Sequence, residues 1–308
     1  MQHSGPRASH AQVRLNDNSL MLLKGMEYLL SGQEEKALAL FKRKPFLLNN
    51  IDKSMPITPL MAAASKEHPC CIETFTWILQ RTQNINHSTN TGNSIIHWLA
   101  NLNYHVFLST LLAKRKSDIK INQLTNNKES PTFIACYSGS LESLQLFIDA
   151  GANIHIPNAQ GTTPLQIACA QGHACCVELL LRHGALIEQC DYEGKNAFHY
   201  LALSQSVEIL NLLMQANEAG LKVKTKKGNL PFEIVLNQGH ENFATLLKKQ
   251  TENVPNLKKI CANAICFHFK NEDRSFREVF ANQLSCLPLE VIEYIENIWR
   301  LKARRNSK

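Results

Sequence analysis

The sequence has no long apolar run and no recognisable export signal. Its strongest apolar stretches, such as Val177–Leu181, are interrupted by charge, and none approaches the ~18–20 residues of a membrane-spanning helix. The first twenty residues contain no apolar core followed by a cleavage site. We therefore expect a soluble protein of the cytoplasm or nucleus, with no membrane partner, whose ten cysteines are reduced.

A strong excess of one charge is also missing. The formal net charge is +7, and residues 257–308 contain 10 Lys and Arg against 6 Asp and Glu, which leaves 23 against 20 of the totals of 33 and 26 in the first 256 residues. This distribution gives one basic end, with a basic tail at 300–308, and indicates no nucleic-acid partner. With 44% hydrophobic and 19% charged residues, a disordered or collagen-like chain is excluded.

Motifs of catalysis are absent as well. The sequence contains no Gly-x-Ser-x-Gly, no phosphate-binding Gly-x-x-x-x-Gly-Lys, no His-Glu-x-x-His and no protein-kinase signature. We expect no catalytic residue and no cofactor, and an enzyme with an unrecognised site is the least favoured class.

The sequence does contain an internal repeat. Its most complete copy runs over residues 158–185 and includes Thr163-Pro164-Leu165. A shift of 33 residues superposes Ser130-Pro131 on Thr163-Pro164, and two later glycines, Gly139 and Gly151, on Gly172 and Gly184. These residues at this spacing resemble the ankyrin repeat, a helix-turn-helix unit of about 33 residues.

Weaker copies extend the repeat in both directions. The anchor residues that start the inner helices are spaced 36, 36, 33, 33 and 34 apart and are Thr58, Ser94, Ser130, Thr163, Asn196 and Leu230. We expect the longer spacings to place extra residues in loops near 81–86 and 114–120. Two helical stretches, Leu20–Leu30 and Glu34–Phe41, lack the Thr-Pro start, and we interpret them as an N-terminal capping repeat.

The repeat predicts an all-α fold, an ankyrin-repeat solenoid of helix-turn-helix units with short β-turn or hairpin connections. Each unit buries its apolar face only by stacking on its neighbours. We expect residues 1–16 to be disordered and residues 17–252 to form the array. Its parts are a cap at 17–50 and repeats near 51–86, 87–122, 123–155, 156–188, 189–222 and 223–252.

Two tracts of histidine and cysteine have the side chains of a zinc site. Residues 68–71 read His-Pro-Cys-Cys, and residues 173–176 read His-Ala-Cys-Cys. Both tracts fall at the same place in the register, the start of an outer helix, so stacking keeps them well apart. We therefore predict structural cysteines and no metal site.

Two histidines have a position that the family resemblance explains. His97 and His199 occupy the fourth position of the Thr-Pro-Leu-His pattern. The resemblance implies that each forms a hydrogen bond between adjacent repeats. A catalytic histidine is the alternative.

The concave face of such an array is the expected binding surface. It consists of the turn tips and the exposed side of the inner helices, and Tyr and Trp are enriched at binding hot spots. Each candidate has the alternative role of filling a gap between repeats. By register, the candidates for contact with an unidentified target protein are Trp98, Asn101, Tyr104, Tyr137, Gln160, Gln171, Tyr192 and Tyr200.

A different pattern begins after about residue 253. Apolar residues at helical spacing predict a module of three short helices in 253–299. Its first helix carries Leu257-x-x-x-Cys261-x-x-x-Ile265, and a later tract reads Leu287-Pro288-Leu289. These residues resemble the SOCS box, the C-terminal module of the ankyrin-repeat and SOCS-box proteins.

This resemblance implies two partners, the elongin B/C heterodimer and a cullin, specifically cullin five. The residues it assigns to elongin C are Leu257, Ile260, Cys261 and Ile265, and those it assigns to the cullin are Leu287, Pro288 and Leu289. Asn256 stands where the family favours Ser, Thr or Pro, and Glu290 replaces the final Pro of the second motif. Elongin C recognition is therefore better supported than the choice of cullin.

Two functional interpretations follow. In the first, the chain is the non-catalytic substrate-recognition adaptor of an elongin B/C–cullin-RING E3 ubiquitin ligase, whose repeats hold a target. In the second, it is an ankyrin-repeat scaffold or inhibitor, and its tail only caps the last repeat. A further alternative is that the chain is a microbial effector that mimics a host adaptor.

Overall fold

A computed structural model of the chain describes residues 17–49 and 57–253. The segment 1–16, the module that follows residue 253 and the basic tail 300–308 lie outside the described residues. The chain divides into two compact units, residues 1–247 and 248–308. The described part of the second unit is residues 248–253, the end of one helix.

The described residues, 17–49 and 57–253, form helices and turns without a β-strand. Short 3-10 turns occur at Pro45–Asn49, Lys116–Asp118 and Glu218–Lys222, and the second lies in a loop where the repeat spacing predicts extra residues. The α-helices are α1 (Asp17–Leu30), α2 (Glu34–Arg43), α3 (Pro59–Ala63), α4 (Ile72–Arg81), α5 (Ile95–Leu102), α6 (His105–Arg115), α7 (Pro131–Ser138), α8 (Leu141–Asp149), α9 (Pro164–Gln171), α10 (Ala174–Arg182), α11 (Ala197–Ser204), α12 (Val207–Ala216), α13 (Pro231–Asn237) and α14 (Glu241–Asn253).

The inner helices begin where the sequence spacing places them. Thr163 shows the geometry: its hydroxyl accepts a hydrogen bond from the Gln166 N–H at 3.3 Å, while the Gln166 side chain accepts one from the Thr163 N–H at 2.8 Å. Pro164 follows at the first helical position, where its missing N–H leaves no donor unpaired. All six anchors are N-cap residues, of α3, α5, α7, α9, α11 and α13 in turn.

The helices stack in two rows. Each inner helix from α3 to α13 contacts the next inner helix, and each outer helix from α4 to α12 contacts the next outer helix. Small residues permit close approach of the inner row: Ala135, Cys136, Ala168 and Cys169 are fully buried. Burial raises the pKa of the Cys136 and Cys169 thiols, so both cysteines act as small apolar residues.

The turns between repeats form a continuous row of backbone hydrogen bonds. Each turn closes on itself, as where the Asn158 N–H donates to the Thr162 carbonyl at 2.9 Å. Neighbouring turns are joined as well, by N–H groups that donate to the preceding turn: Asn126 to Thr91, Ala159 to Asn127, Tyr192 to Gln160 and Lys226 to Glu193, at 2.8–3.2 Å. The tips of these turns therefore have a rigid backbone on which exposed side chains are presented.

Replacing Gly92 with Ala is expected to destabilise the array more than replacing Gly228. Both glycines have positive φ, 83° and 85°, so each substitution costs about 1–2 kcal/mol of backbone strain. A Cβ on Gly92 would lie 2.5 Å from the Asn126 backbone nitrogen, whereas one on Gly228 meets nothing within 4 Å. Urea denaturation should show an additional loss of about 1–3 kcal/mol for G92A. Equal losses would show that turn-to-turn packing is not tight.

Candidate binding face

Histidines join two of the inner helices to the following repeat. In α5 the His97 Nδ1 accepts from the Ser94 N–H at 3.1 Å, and Nε2 donates to the Gln123 carbonyl at 2.8 Å. His199 in α11 makes the same pair with the Asn196 N–H at 3.1 Å and the Asn229 carbonyl at 3.3 Å. Burial lowers the pKa of His97 to about 4 and also lowers that of His199. Both rings are neutral structural bridges at neutral pH, with both nitrogens engaged.

The two histidine and cysteine tracts lie at the starts of outer helices, as the register predicts. Cys71 is the N-cap of α4, and its thiol donates to Glu34 Oε1 at 2.9 Å. His173 is the N-cap of α10, and its Nε2 lies 3.2 Å from the Tyr137 carbonyl oxygen. Across residues 17–49 and 57–253, no three His, Cys, Asp or Glu side chains are grouped so as to hold a metal ion.

The helices of the described segments are all too short or too polar to cross a membrane.

Three of the aromatic candidates are held by bonds inside the array. The Trp98 Nε1 donates to the Ala64 carbonyl at 2.9 Å, and the Tyr104 hydroxyl donates to the Ser65 carbonyl at 3.1 Å, so both bridge two repeats. Tyr104 lies just before outer helix α6, not on an inner helix. Tyr200 is half-buried and its hydroxyl also bonds within the array. The three rings therefore help to fix the geometry of the face.

Tyr200 sits within a small polar network. Its hydroxyl donates to Asp191 Oδ2 at 2.8 Å and lies 2.8 Å from the Thr162 hydroxyl oxygen. Burial raises the pKa of Tyr200 to about 12. The carboxylate of Asp191 also accepts from the Glu193 and Lys195 N–H groups at 2.8 Å. The network therefore fixes the turn that carries Tyr192.

The remaining candidates are exposed. Asn101 and Tyr137, the latter 53% exposed, line a groove with Trp98 between α5 and α7, which we call the α5–α7 groove. Its lining also includes Glu129 and no lysine or arginine; the full set is Asn93, His97, Trp98, Asn101, Glu129, Phe133, Ile134 and Tyr137. This groove brings three of the eight predicted residues together.

Gln160, Gln171 and Tyr192 are exposed at other places along the array. Gln160 and Tyr192 lie in neighbouring turns, whereas Gln171 is the last residue of α9. Tyr192, 62% exposed, lines a second groove with lysines of the last two turns. We call it the basic groove; its lining residues are Tyr192, Glu193, Lys195, Thr225, Lys226, Lys227, Asn229, Ile234, Asn237 and Gln238.

Two surfaces were not predicted from the sequence. The sequence does carry a signal for the basic groove, because its Lys226 and Lys227 belong to a run of four lysines within residues 222–227. A third groove crosses the outer helices α6, α8 and α10 and includes Val106, Leu141 and Leu179. Its apolar residues follow the same helical period as the core, so the sequence carries no signal for it.

The predicted partner-binding residues of the tail lie outside the described residues. They are Leu257, Ile260, Cys261 and Ile265 for elongin C, and Leu287, Pro288 and Leu289 for the cullin.

Comparison with known proteins identifies the repeat. A family model described as "Ankyrin repeats (3 copies)" matches residues 60–158 and 132–227, together more than half of the chain. The chain is 32% identical over 99 residues to E3 ubiquitin-protein ligase KEG of Arabidopsis thaliana, covering 30% of this chain and 6% of that protein.

Two further relatives show the same partial coverage. Target of rapamycin complex 2 subunit AVO2 of Saccharomyces cerevisiae is 26% identical over 205 residues, covering 66% of this chain and 46% of AVO2. Probable E3 ubiquitin-protein ligase XBOS33 of Oryza sativa is 33% identical over 86 residues, covering 28% of this chain and 16% of XBOS33. The chain thus spans less than half the length of each of these three relatives.

Proposed function

This chain belongs to the ankyrin-repeat family, whose members mediate protein–protein interactions, and from that premise we propose that it is the substrate-recognition adaptor of a ubiquitin ligase. In this proposal the repeats hold a target protein and the C-terminal segment recruits elongins B and C and a cullin. The observation that carries it is the Leu257, Cys261 and Ile265 motif, which follows the array directly.

The chemistry of the motif suits a helix that binds in a groove. Leu257 and Cys261 are four residues apart, so on a helix they offer a long and a small apolar group on one face. Burying a leucine contributes about 1.5–3 kcal/mol, so one substitution has a large effect on such a contact. The tract Leu287-Pro288-Leu289 supports a second contact, with cullin five.

The names of two relatives support the same assignment. KEG and XBOS33 are both named E3 ubiquitin-protein ligases. In the proposed assembly this chain contributes no catalytic group. It raises the rate by proximity, because a bound target presents its lysines at high effective concentration to a ubiquitin-charged enzyme.

Co-purification with elongins B and C tests the proposal. The full chain, expressed with both elongins, is expected to co-elute with them on gel filtration, and Leu257→Ser with Cys261→Phe is expected to abolish co-elution. The matched control, Lys259→Ser with Asn263→Phe, makes equally large changes at the same spacing, on what would be the opposite side of the predicted helix, and it should still co-elute.

Each outcome decides between the interpretations. If the intact chain does not co-elute, the adaptor proposal is wrong, and the chain is an ankyrin-repeat scaffold or inhibitor. If both double variants lose the elongins, the loss is not specific to the face that carries Leu257 and Cys261, and the proposed contact is not supported. Capture of cullin five by the elongin-bound chain tests the second motif, and Glu290→Pro should strengthen that capture.

A further inference from the structure

The basic groove at the end of the array has a lining unlike that of the α5–α7 groove, and we propose that it binds an acidic polypeptide segment of the target. This proposal rests on the proposed function, since it names the kind of target that the repeats hold. It assigns to Lys226 and Lys227 the recognition of carboxylates, and to Tyr192 an apolar contact.

The groove is a fixed structure. Its floor is the pair of turns joined by the Lys226 N–H, which donates to the Glu193 carbonyl at 2.8 Å. The second turn is closed by the Thr225 N–H, which donates to the Asn229 carbonyl at 2.9 Å, and by the Thr225 hydroxyl, which accepts from the Asn229 N–H at 3.1 Å. The lysines therefore extend from an ordered backbone, which reduces the entropy lost on binding.

The charges in the groove favour an anionic ligand. Lys226 and Lys227 are exposed, and among the described residues neither has an ion-pair partner. Lys195 pairs with Glu193 at 2.6 Å, so the one acidic side chain of the lining is already neutralised. Two consecutive exposed lysines in one turn, neither of them in a salt bridge among the described residues, suit carboxylates of an extended segment.

The other lining residues favour a polypeptide. Asn237 and Gln238 are exposed at the end of α13, and their amides both donate and accept, as a peptide backbone requires. The exposed ring of Tyr192 offers the apolar contact typical of a hot spot. A nucleic acid is less well suited, because its regular phosphates need a longer basic stripe, and the first 256 residues carry 23 basic against 20 acidic groups.

Selection of displayed peptides tests the proposal without knowledge of the target. A library of random twelve-residue peptides is panned against the full chain, and the net charge of enriched peptides is measured by sequencing. We expect acidic peptides to be enriched, and the best one, measured by fluorescence polarisation, to bind at least tenfold more weakly to Lys226→Glu with Lys227→Glu. Its affinity should also fall as salt is raised.

A matched variant controls for net charge. Lys114→Glu with Lys116→Glu makes the same charge change at exposed lysines where α6 ends, and it should keep the affinity within about twofold. Lys226→Gln with Lys227→Gln repeats the test with a smaller perturbation, should the double glutamate variant unfold. The proposal is overturned if no peptide is enriched, if enriched peptides have no acidic bias, or if both lysine pairs weaken binding equally.

Two further measurements separate this proposal from its premise and from a nucleic-acid ligand. Elongin co-elution is measured on the same Lys226 and Lys227 variants and should be unchanged, so that loss of peptide binding with retained elongins identifies the groove alone. A single-stranded oligonucleotide is tested as a competitor of the labelled peptide, beside the unlabelled peptide. If the oligonucleotide displaces the labelled peptide at a lower concentration than the unlabelled peptide does, the polypeptide assignment is overturned.

Discussion

Replacing Phe147 with Ala is expected to lower the free energy of unfolding by about 3–5 kcal/mol. Phe147 is fully buried on α8, an outer helix near the middle of the array that contacts α6 on one side and α10 on the other. Truncation removes the transfer free energy of the ring and leaves a cavity in a packed interface. Because each repeat is stabilised by its two neighbours, this loss weakens both stacking contacts.

Urea denaturation followed by circular dichroism measures the effect. The matched control is Phe46→Ala, the same chemical change at a side chain that is 53% exposed in the Pro45–Asn49 turn, where we expect a loss below about 1 kcal/mol. The Phe147 variant should also unfold over a broader range of urea concentration, since the two halves of the array become less coupled. Similar losses for the two variants would contradict the assigned core.

The starts of the inner helices could be predicted from the sequence because their signals are local. A hydroxyl or amide side chain at the N-cap and a Pro after it act on the nearest turn only. Asn196 satisfies the cap through its own side chain, which accepts from the His199 N–H at 3.4 Å. The repeat spacing also predicts the helix start at Leu230, although its side chain has no capping group.

The side-chain partners of the candidate face could not be predicted in the same way. The repeat register indicates which helix or turn carries Trp98, Tyr104 or Tyr200. It does not indicate their hydrogen-bond partners, because the polar atom of each side chain bonds to a residue 34 to 39 positions earlier in the chain. The Tyr200 hydroxyl bonds in addition to Asp191, nine positions earlier. Such pairs depend on how closely adjacent repeats approach, and this distance is set by packing of the whole interface.

The basic groove was missed for a different reason. Lys226 and Lys227 are neighbours in the sequence, but the net charge of the first 256 residues averages them with acidic residues elsewhere. Binding depends on charge at the scale of a Debye length, roughly 8 Å at physiological salt. The charge of a single turn, the unit that each repeat presents at one edge, therefore indicates binding better than the charge of the whole array.

Acidification is expected to destabilise the fold between about pH 6.5 and pH 4, and His97 is the main cause. Its pKa falls from a usual value of about 6.5 to about 4 in the folded chain, because burial disfavours the charged ring. In this range the unfolded chain binds more protons than the folded one, so stability rises with pH and is lost as pH falls. Below about pH 4, where His97 is charged in both states, the resulting loss in the free energy of unfolding reaches about 3 kcal/mol.

The hydrogen bonds of His97 suggest a variant that tests this effect of burial. The neutral ring accepts from the Ser94 N–H through Nδ1 at 3.1 Å and donates to the Gln123 carbonyl through Nε2 at 2.8 Å. Gln166 occupies the equivalent position in α9, where its amide accepts from the Thr163 N–H and donates to the Gln189 carbonyl at 2.7 Å. His97→Gln is therefore expected to keep both bonds.

Thermal melting from pH 7 to pH 4.5 measures the effect of this substitution. The His97→Gln variant should lose much less stability over this range than the unaltered chain, and His97→Gln with His199→Gln should lose least, since burial also lowers the pKa of His199. His183→Gln, at an exposed imidazole, is the control and should leave the dependence of the melting temperature on pH unchanged. If the melting temperature of all four proteins falls equally with pH, the histidine bridges do not determine the acid sensitivity of the array.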